Sequence, residues 1–288
     1  MGESAVQLRD LTRDFSIGVR GYKLRALDKL NLEIPSQTIF GLLGPNGSGK
    51  STTLKIILGL LKSSSGDCRI FGVPAGDRRA RSQIGFLPEN PFFYQFLTGR
   101  ELVCFLAGIS GLRGGIRDQR VEEVLNAVGM SASADHRIRT YSKGMLQRIG
   151  LAQALVHEPE ILVLDEPMSG LDPLGTNEFL EILKSLRDQG KTVLLASHLL
   201  SRVEEICDEI AILDKGSLVR SGSVHQIVQD NSRLILEIED CSPEREQRVL
   251  EILRTEGIHS LQVRKGRTRL DEVFLEAIKP SGKNEQQE

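Results

Sequence analysis

The feature that most constrains the fold of this chain is a glycine-rich stretch, residues 44–51, with the spacing G-x-x-x-x-G-K-S. An apolar run at residues 38–43 precedes it and predicts a buried strand. Residues 52–61 follow with helical spacing. A strand, a glycine-rich loop and a helix in this order can cradle phosphate groups, because backbone N–H groups and the positive helix end point at the anion.

Each position of this loop has a predicted role. Lys50 is expected to reach the β- and γ-phosphates and is assigned to the catalytic residues, while the Ser51 hydroxyl is a ligand of Mg²⁺. The nucleotide-binding residues predicted from the loop are Gly44, Pro45, Asn46, Gly47, Ser48, Gly49, Lys50, Ser51 and Thr52. A glycine-rich turn that binds nothing is the alternative, and the flanking strand and helix argue against it.

Two further apolar strands are followed by ionisable side chains that could take part in catalysis or metal binding. Residues 161–164 are followed by Asp165 and Glu166, and residues 191–197 by His198. Because ligands of open α/β sheets bind at the carboxyl ends of the strands, these side chains are candidates for one site. Asp165 is predicted to hold Mg²⁺, and Glu166 to polarise an attacking water. The alternatives are a strand end capped by solvated acids and a structural histidine.

The region between these motifs predicts a mostly helical insert at about residues 90–158. Thr98 and Glu101 have the spacing of a capping box at the start of a helix, and the glycine-rich residues 108–115 are predicted to break that helix. Ser142 is a good N-cap for the last helix of the insert. Such a helix start is a second potential anion site, although every capped helix offers one.

An aromatic cluster lies near the start of the insert. Its members are Phe92, Phe93, Tyr94 and Phe96. Aromatic residues are common both in cores and at interfaces, so packing in the core and docking of a partner are both open.

Composition argues against several classes of protein. The net charge of −2 does not suggest a nucleic-acid binder, which usually shows a basic patch. No apolar run approaches the length that spans a bilayer, and the N-terminus lacks a basic and then apolar signal pattern. The cysteines are scattered at Cys68, Cys104, Cys207 and Cys241. Without a Cys-x-x-Cys pair they favour structural thiols in a reducing cytoplasm over disulfides or a metal site.

Taken together, these motifs resemble those of the nucleotide-binding subunit of an ATP-binding cassette (ABC) transporter, over roughly residues 5–225. The matching segments follow the family's order: residues 44–51 as Walker A, 141–145 as a variant of the signature Leu-Ser-Gly-Gly-Gln, 161–166 as Walker B with its catalytic glutamate, 169–172 as the D-loop, and His198 as the switch histidine. Several motifs in one order make the resemblance specific.

The resemblance implies a mechanism. Two cassettes close head to tail around two ATP molecules, and Ser142 and Gly144 of one chain meet the γ-phosphate held by the loop of the other. His198 then hydrogen-bonds the γ-phosphate, and Glu166 orients or deprotonates water. ATP and Mg²⁺ are the implied cofactors, and a second cassette, identical or not, is the implied partner.

The resemblance also implies how the base is held. Phe15 falls where the family places an aromatic residue that stacks on adenine. A core residue of its strand is the alternative reading of Phe15, with Tyr22 as a substitute for the stacking role. Asp172, in the D-loop, belongs to the implied nucleotide-binding residues.

Two departures from the family pattern matter. The Q-loop glutamine is Glu89 here, which can still bind nucleotide and ligand Mg²⁺ but adds a negative charge near the triphosphate. In the signature, Lys143 adds positive charge facing the phosphate and Met145 loses the glutamine amide. Ser142 and Gly144, the groups expected to touch phosphate, are intact.

We therefore expect an ATP-hydrolysing subunit that powers transport through a separate transmembrane permease, peripheral on the cytoplasmic face of the cell membrane. The signature variant and residues 270–275 look like those of bacterial exporters with separate subunits, which favours export. The main alternative is a non-transport soluble ABC ATPase acting on a macromolecular complex. A small-molecule kinase and a non-hydrolysing binding module are weaker alternatives.

The expected fold class is α/β: a P-loop NTPase core with an antiparallel β layer and an α-helical insert, followed by a small α+β appendage. The ATPase domain is assigned to residues 5–228, the appendage to 232–278, and a flexible tail to 279–288. The 288 residues are more than one core usually absorbs, which supports a second unit.

Overall fold

The computed structural model describes residues 4–17, 22–228 and 242–255. Contacts divide the chain into two compact units, Met1–Val228 and Gln229–Glu288. Among the described residues, no helix combines the length and the apolar character that crossing a membrane would require.

The first unit alternates strands and helices. Its strands are β1 (Ser4–Ile17), β2 (Tyr22–Pro35), β3 (Ile39–Leu43), β4 (Ser65–Ile70), β5 (Val73–Pro74), β6 (Ile84–Leu87), β7 (Ile161–Asp165), β8 (Thr192–Ser197), β9 (Glu209–Asp214) and β10 (Ser217–Ser223). Its helices are α1 (Lys50–Ile57), α2 (Arg78–Ser82), α3 (Gly99–Ile109), α4 (Gly114–Ala127), α5 (Lys143–Leu155), α6 (Pro173–Asp188), α7 (Leu200–Ile206) and α8 (Val224–Val228).

A six-stranded sheet forms the centre of this unit, in the order β10-β9-β3-β8-β7-β6. The neighbours from β9 to β6 are parallel, and β10 pairs antiparallel with β9 as a hairpin at the edge. Strands that run parallel end at the same edge of the sheet. The segments that follow β3, β6, β7 and β8 are therefore neighbours in space, although they are far apart in sequence.

A second sheet, in the order β2-β1-β4-β5, is antiparallel. It packs with α1 on one face of the central sheet, while α3 to α6 cover the other. The alternation along β8 shows how one strand serves both cores. Val193 and Leu195 belong to the helical side, whereas Leu194 and Ala196 belong to the side of the second sheet. Burial on both faces explains why the central strands read as unbroken apolar runs.

The α/β class with its antiparallel layer and helical insert is confirmed. The predicted capping box is present, since the Thr98 hydroxyl accepts a hydrogen bond from the N–H of Glu101 and the Glu101 carboxylate accepts one from the N–H of Thr98. The predicted break at residues 108–115 is wrong in extent. Helix α3 continues to Ile109 and α4 already begins at Gly114, so the break is confined to residues 110–113.

The second unit contributes α9 (Pro243–Thr255) to the described residues, where a charged helix is predicted at residues 244–254. The predicted strands at 234–238 and 260–263, the helix at 270–278 and the tail at 279–288 lie outside the described residues.

Three cysteines of the described part are free thiols: Cys68, Cys104 and Cys207. Burial, and secondarily the charge of Asp67, raises the pKa of the Cys68 thiol to about 12. Burial raises the pKa of Cys207 as well. Thiolates are therefore scarce at these two positions near neutral pH, and they act as small apolar side chains. Cys241 lies outside the described residues.

Close packing in the central sheet leads to a stability prediction. A Cβ on Gly85 in β6 would lie 2.3 Å from the carbonyl oxygen of Ala154 in α5, so Gly85→Ala should lower the free energy of unfolding by about 1–3 kcal/mol. Gly108 in α3 is the matched control, since a Cβ there meets nothing within 4 Å. Gly108→Ala should instead raise it by about 0.5–1 kcal/mol. Urea unfolding of both variants checks the pair, and equal effects would contradict it.

Candidate active site

The glycine-rich loop connects β3 to α1 and is shaped by its glycines. Gly44 has φ +152°, and a Cβ there would lie 2.3 Å from the carbonyl oxygen of Leu213. Gly49 is the N-cap of α1 in the left-handed region, with φ +107°. No side chain caps this helix, so its first N–H groups remain available to an anion at the loop.

Lys50 is buried beneath the loop with 6% of its surface exposed. Its Nζ donates to the carbonyl oxygens of Gly44, at 2.6 Å, and Pro45, at 3.3 Å. Carbonyl groups solvate an ammonium ion but do not neutralise it, so the loop holds a buried positive charge that favours an anion. The buried Ser48 hydroxyl has no hydrogen-bond partner among the described residues. Both groups suit phosphate oxygens.

The carboxylates lie where β7 ends. Burial raises the pKa of Asp165, and the nearby charges of Glu166 and Glu89 raise it further, while Lys50 opposes them. The structure therefore brings four of the predicted residues into one electrostatic neighbourhood.

The residues around Asp165 suit a Mg²⁺ ion bound in the way that is usual at phosphate-binding sites. No group of three or more His, Cys, Asp or Glu side chains with metal-binding geometry exists among the described residues. Mg²⁺ in such sites is held by one or two carboxylates together with phosphate oxygens and water. Asp165 and the exposed Ser51 hydroxyl suit that pattern, and Glu89 adds charge beside them.

Glu166 is held by three contacts from the end of β8. His198 Nδ1 lies 2.9 Å from Oε1 of Glu166, and the Ser197 hydroxyl and the His198 N–H donate to Oε2 at 3.2 and 3.3 Å. Glu166 itself has φ +46°, an uncommon conformation for a residue with a side chain. Glu166 as a whole is 9% exposed, and these contacts fix the orientation of its carboxylate, as a general base requires. The imidazole is half exposed, and its Nε2 is not used in this contact.

Ser142 and Gly144 open helix α5. The Ser142 hydroxyl is the N-cap and accepts a hydrogen bond from the N–H of Met145 at 3.3 Å, as predicted. A Cβ on Gly144 would lie 3.9 Å from Leu171, so the signature adjoins the D-loop of its own chain. The side chain of Lys143 also reaches the D-loop. Its ammonium lies against Gly170, where a Cβ would be 2.4 Å from Nζ.

Asp172 and Phe15 are each held by local contacts of their own. Asp172 is the N-cap of α6, and its carboxylate accepts a hydrogen bond from the N–H of Gly175 at 2.7 Å. Phe15 is half-buried near the end of β1, with the Arg13 guanidinium 4.6 Å above its ring centre. The side chain of Tyr22 lies outside the described residues. Arg13 therefore covers one face of the Phe15 ring.

One member of the aromatic cluster is buried in the structure and the other three are exposed. Phe93 is buried with 7% exposure, so the core interpretation holds for it. Phe92, Tyr94 and Phe96 are 90%, 55% and 65% exposed and form a row, with ring centres 6.5 and 5.7 Å apart. Large apolar side chains exposed together indicate an interaction surface.

Sequence reasoning missed three side chains at this site. Ser197 contacts Glu166, Arg13 contacts Phe15, and Gln147 Nε2 donates to the carbonyl oxygen of Glu89 at 3.2 Å. Of the three, only Ser197 could have been found from the sequence, because it directly precedes the predicted His198. Arg13 and Gln147 lie inside elements and carry no such signal.

The raised pKa of Asp165 has a consequence for stability. A carboxyl whose pKa is higher in the folded than in the unfolded state destabilises the fold once ionised, fully at neutral pH and less as the pH falls through the folded pKa. Asp165→Asn should therefore raise the Tm of the nucleotide-free chain at pH 7.5, and the gain should shrink toward pH 4. Thermal unfolding at several pH values checks this. An unchanged or lower Tm at pH 7.5 would contradict it.

Comparisons with known proteins agree with this geometry. A family model described as "ABC transporter" matches residues 27–169. An uncharacterized ABC transporter ATP-binding protein of Nostoc sp. is 45% identical over 228 residues, covering 78% of this chain and 68% of the relative. The bacitracin transport ATP-binding protein BcrA of Enterococcus faecalis is 36% identical over 234 residues, covering 80% of this chain and 73% of the relative.

Two solved structures are similar to this chain in fold. The dimeric post-hydrolysis state of the ATP-binding cassette MJ0796, bound to ADP and Pi, has a TM-score of 0.68 and 29% identity, covering 76% of this chain and 98% of that one. CbiO1 of Clostridium perfringens, part of the transporter complex cbiONQ, has a TM-score of 0.72 and 25% identity, covering 89% of this chain and 98% of that one.

Proposed function

This chain belongs to the ABC transporter family as an ATP-binding protein, and from that premise we propose that it hydrolyses MgATP between two cassettes and thereby powers export through a separate membrane subunit. The observation that carries the proposal is the meeting of the buried Lys50 charge with Asp165 and Glu166 at one edge of the sheet. A cation under an anion-binding loop, facing carboxylates, is the arrangement of a phosphoryl-transfer site.

Different residues of this chain contact the phosphates, the metal, the attacking water and the adenine. Lys50, Ser48 and the N-terminal N–H groups of α1 bind the phosphates. Asp165, Ser51 and Glu89 would hold Mg²⁺, which supplies neutralisation of charge on the β- and γ-phosphates. Glu166 accepts a proton from the attacking water while Ser197 and His198 keep its carboxylate in place. Phe15, backed by Arg13, stacks on adenine.

A second cassette completes each site. Ser142 and Gly144 lie at the N-terminus of α5, beside the D-loop, where they can be presented to another chain. The dimeric structure of the related cassette MJ0796 supports this arrangement. Binding of ATP then joins two chains, and hydrolysis separates them.

The partner in the membrane would dock on the row Phe92, Tyr94 and Phe96. The row begins three residues after Glu89, so a docked helix would act on the segment that we propose faces the metal. The name of the transport protein BcrA and the membership of CbiO1 in a transporter complex support a transport role. The chain would then reside on the cytoplasmic face of the membrane, bound to that subunit.

Two measurements test this function. The purified chain should hydrolyse ATP in a Mg²⁺-dependent way, and Lys50→Ala should abolish it. Affinity-tagged chain should capture a polytopic membrane protein from detergent-solubilised membranes, and Phe92→Ser with Phe96→Ser should abolish the capture while leaving nucleotide binding intact. Leu60→Ser is the control, because Leu60 is similarly exposed, at 68%, and distant in sequence from the row. Undiminished capture by the Phe92/Phe96 variant would refute the docking surface.

A further inference from the structure

Helix α5 and the segment from β6 to Phe93 are interlocked. Gly85 approaches the carbonyl oxygen of Ala154 so closely that a Cβ would be 2.3 Å away. A Cβ on Gly150 would lie 2.6 Å from Leu87 and 3.4 Å from Phe93. Contacts this tight leave the two elements little freedom to slide.

A third contact extends this seam. Gln147 Nε2 donates to the carbonyl oxygen of Glu89 at 3.2 Å. On the β6 side the partners advance by two residues, which keeps them on one face of an extended chain. On the helix they recede by four and then three residues, which keeps them on one face of α5. The contact of Gln147 with Glu89 is therefore the end of the seam that faces the active site.

Gln147 is the polar member of this seam. It is 1% exposed, and its Oε1 has no hydrogen-bond partner among the described residues. An unpaired buried amide oxygen is destabilising, and an apolar side chain of equal size would avoid that cost. The contribution of the amide is the hydrogen bond that it donates to the main chain of Glu89.

Each of the two elements joined by the seam carries a part of the proposed ATP site. Glu89 follows β6, whose Leu87 pairs with Leu164 of β7, next to Asp165. Ser142 caps α5 about one and a half turns before Gln147. In the proposed dimer, the β6 segment thus faces the metal of its own site, and the start of α5 faces the phosphate of the opposite chain.

We propose that Gln147 is a positioning residue that locks the Glu89 segment to the signature helix, so that Glu89 and Ser142 move as one body. The role rests on the proposed function, but the lock is a property of the chain alone. Through it, a partner docked on Phe92, Tyr94 and Phe96 would shift the signature as well as the metal-facing loop.

Hydrogen exchange on the nucleotide-free, full-length chain tests the lock directly. Gln147→Met keeps the length of the side chain and removes the donor. Because β6 leads into Glu89 and pairs with β7, we expect the β6 amides bonded to β7 to exchange about 3- to 10-fold faster, the scale for losing one hydrogen bond, while β8 amides stay unchanged. Ile149→Val is the control, since Ile149 is buried on the same helix and should leave the β6 amides unaffected. Unchanged exchange in β6, or an equal increase throughout the chain, would overturn the proposal.

A double-mutant cycle links the lock to Glu89. Gln147→Met should raise the Mg²⁺ concentration for half-maximal ATP turnover about threefold or more, and Glu89→Ala should do the same. The double variant should be no worse than Glu89→Ala, because both changes disturb one group. Fully additive shifts would refute the role. Wild-type chain without ATPase activity would instead refute the proposed function, while the exchange result would still stand.

Discussion

Glu166→Gln is expected to lower ATP turnover by about 10²-fold or more while leaving ATP binding intact, which is the scale for losing a general base. Glutamine keeps the shape of glutamate but cannot accept the proton of the attacking water. Steady-state ATPase assays measure turnover, and equilibrium titration with a fluorescent ATP analogue measures binding.

The fold should tolerate this change. His198 and Ser197 surround the Glu166 carboxylate, and an amide at the same place can still accept from the Ser197 hydroxyl and the His198 N–H. The loss of turnover should therefore appear without a large change in Tm. Blocked hydrolysis should also trap the closed dimer, so MgATP should convert the variant into a dimer on size-exclusion chromatography.

Glu160→Gln is the matched control for this experiment. Glu160 precedes β7 at the opposite end of the strand, and its carboxylate is exposed near Lys191. The same substitution there should leave turnover within about twofold of wild type, as for most surface changes. Turnover of Glu166→Gln within a few fold of wild type, with normal binding, would show that Glu166 is not the base.

The parts of the molecule that sequence predicts well carry local signals. The loop at residues 44–51 has fixed spacing, and Thr98 and Ser142 cap helices over three residues. The carboxyl-edge rule then brought Asp165, Glu166 and His198 to one place without any knowledge of distances. These features could be predicted from interactions within a few residues of sequence and from one rule of sheet topology.

Contacts between distant segments could not be predicted in the same way. Gln147 lies 58 residues from Glu89 and reads as an ordinary helix residue, because nothing near it indicates which neighbour it meets. The aromatic cluster shows the same limit. Phe93 turns inward because α5 offers it Gly150, while Phe92 and Tyr94 on either side point outward. Such choices depend on the packing of elements that local pattern does not specify.

Ser142 should be essential for activity if each ATP site is formed by two chains. Ser142→Arg should abolish ATPase activity, because a bulky cation replaces the N-cap hydroxyl that we propose faces the nucleotide of the neighbouring chain. The damage should exceed that of Ser142→Ala, which removes only the cap and typically costs about 1 kcal/mol of stability. Lys50→Ala should also be inactive, for loss of the phosphate contact in its own chain.

Mixing the two inactive chains should restore activity. In a mixed dimer, one site combines Lys50 of the Ser142→Arg chain with Ser142 of the Lys50→Ala chain and is intact, whereas the other site carries both defects. Random pairing at equal amounts makes half of the dimers mixed, so roughly a quarter of wild-type activity is expected if sites act independently, as the symmetry of a two-fold dimer implies. ATPase assays across mixing ratios should peak near equal amounts. If no ratio restores activity although each chain dimerises, the completing signature belongs to a different cassette, and the transporter contains two distinct ATP-binding subunits.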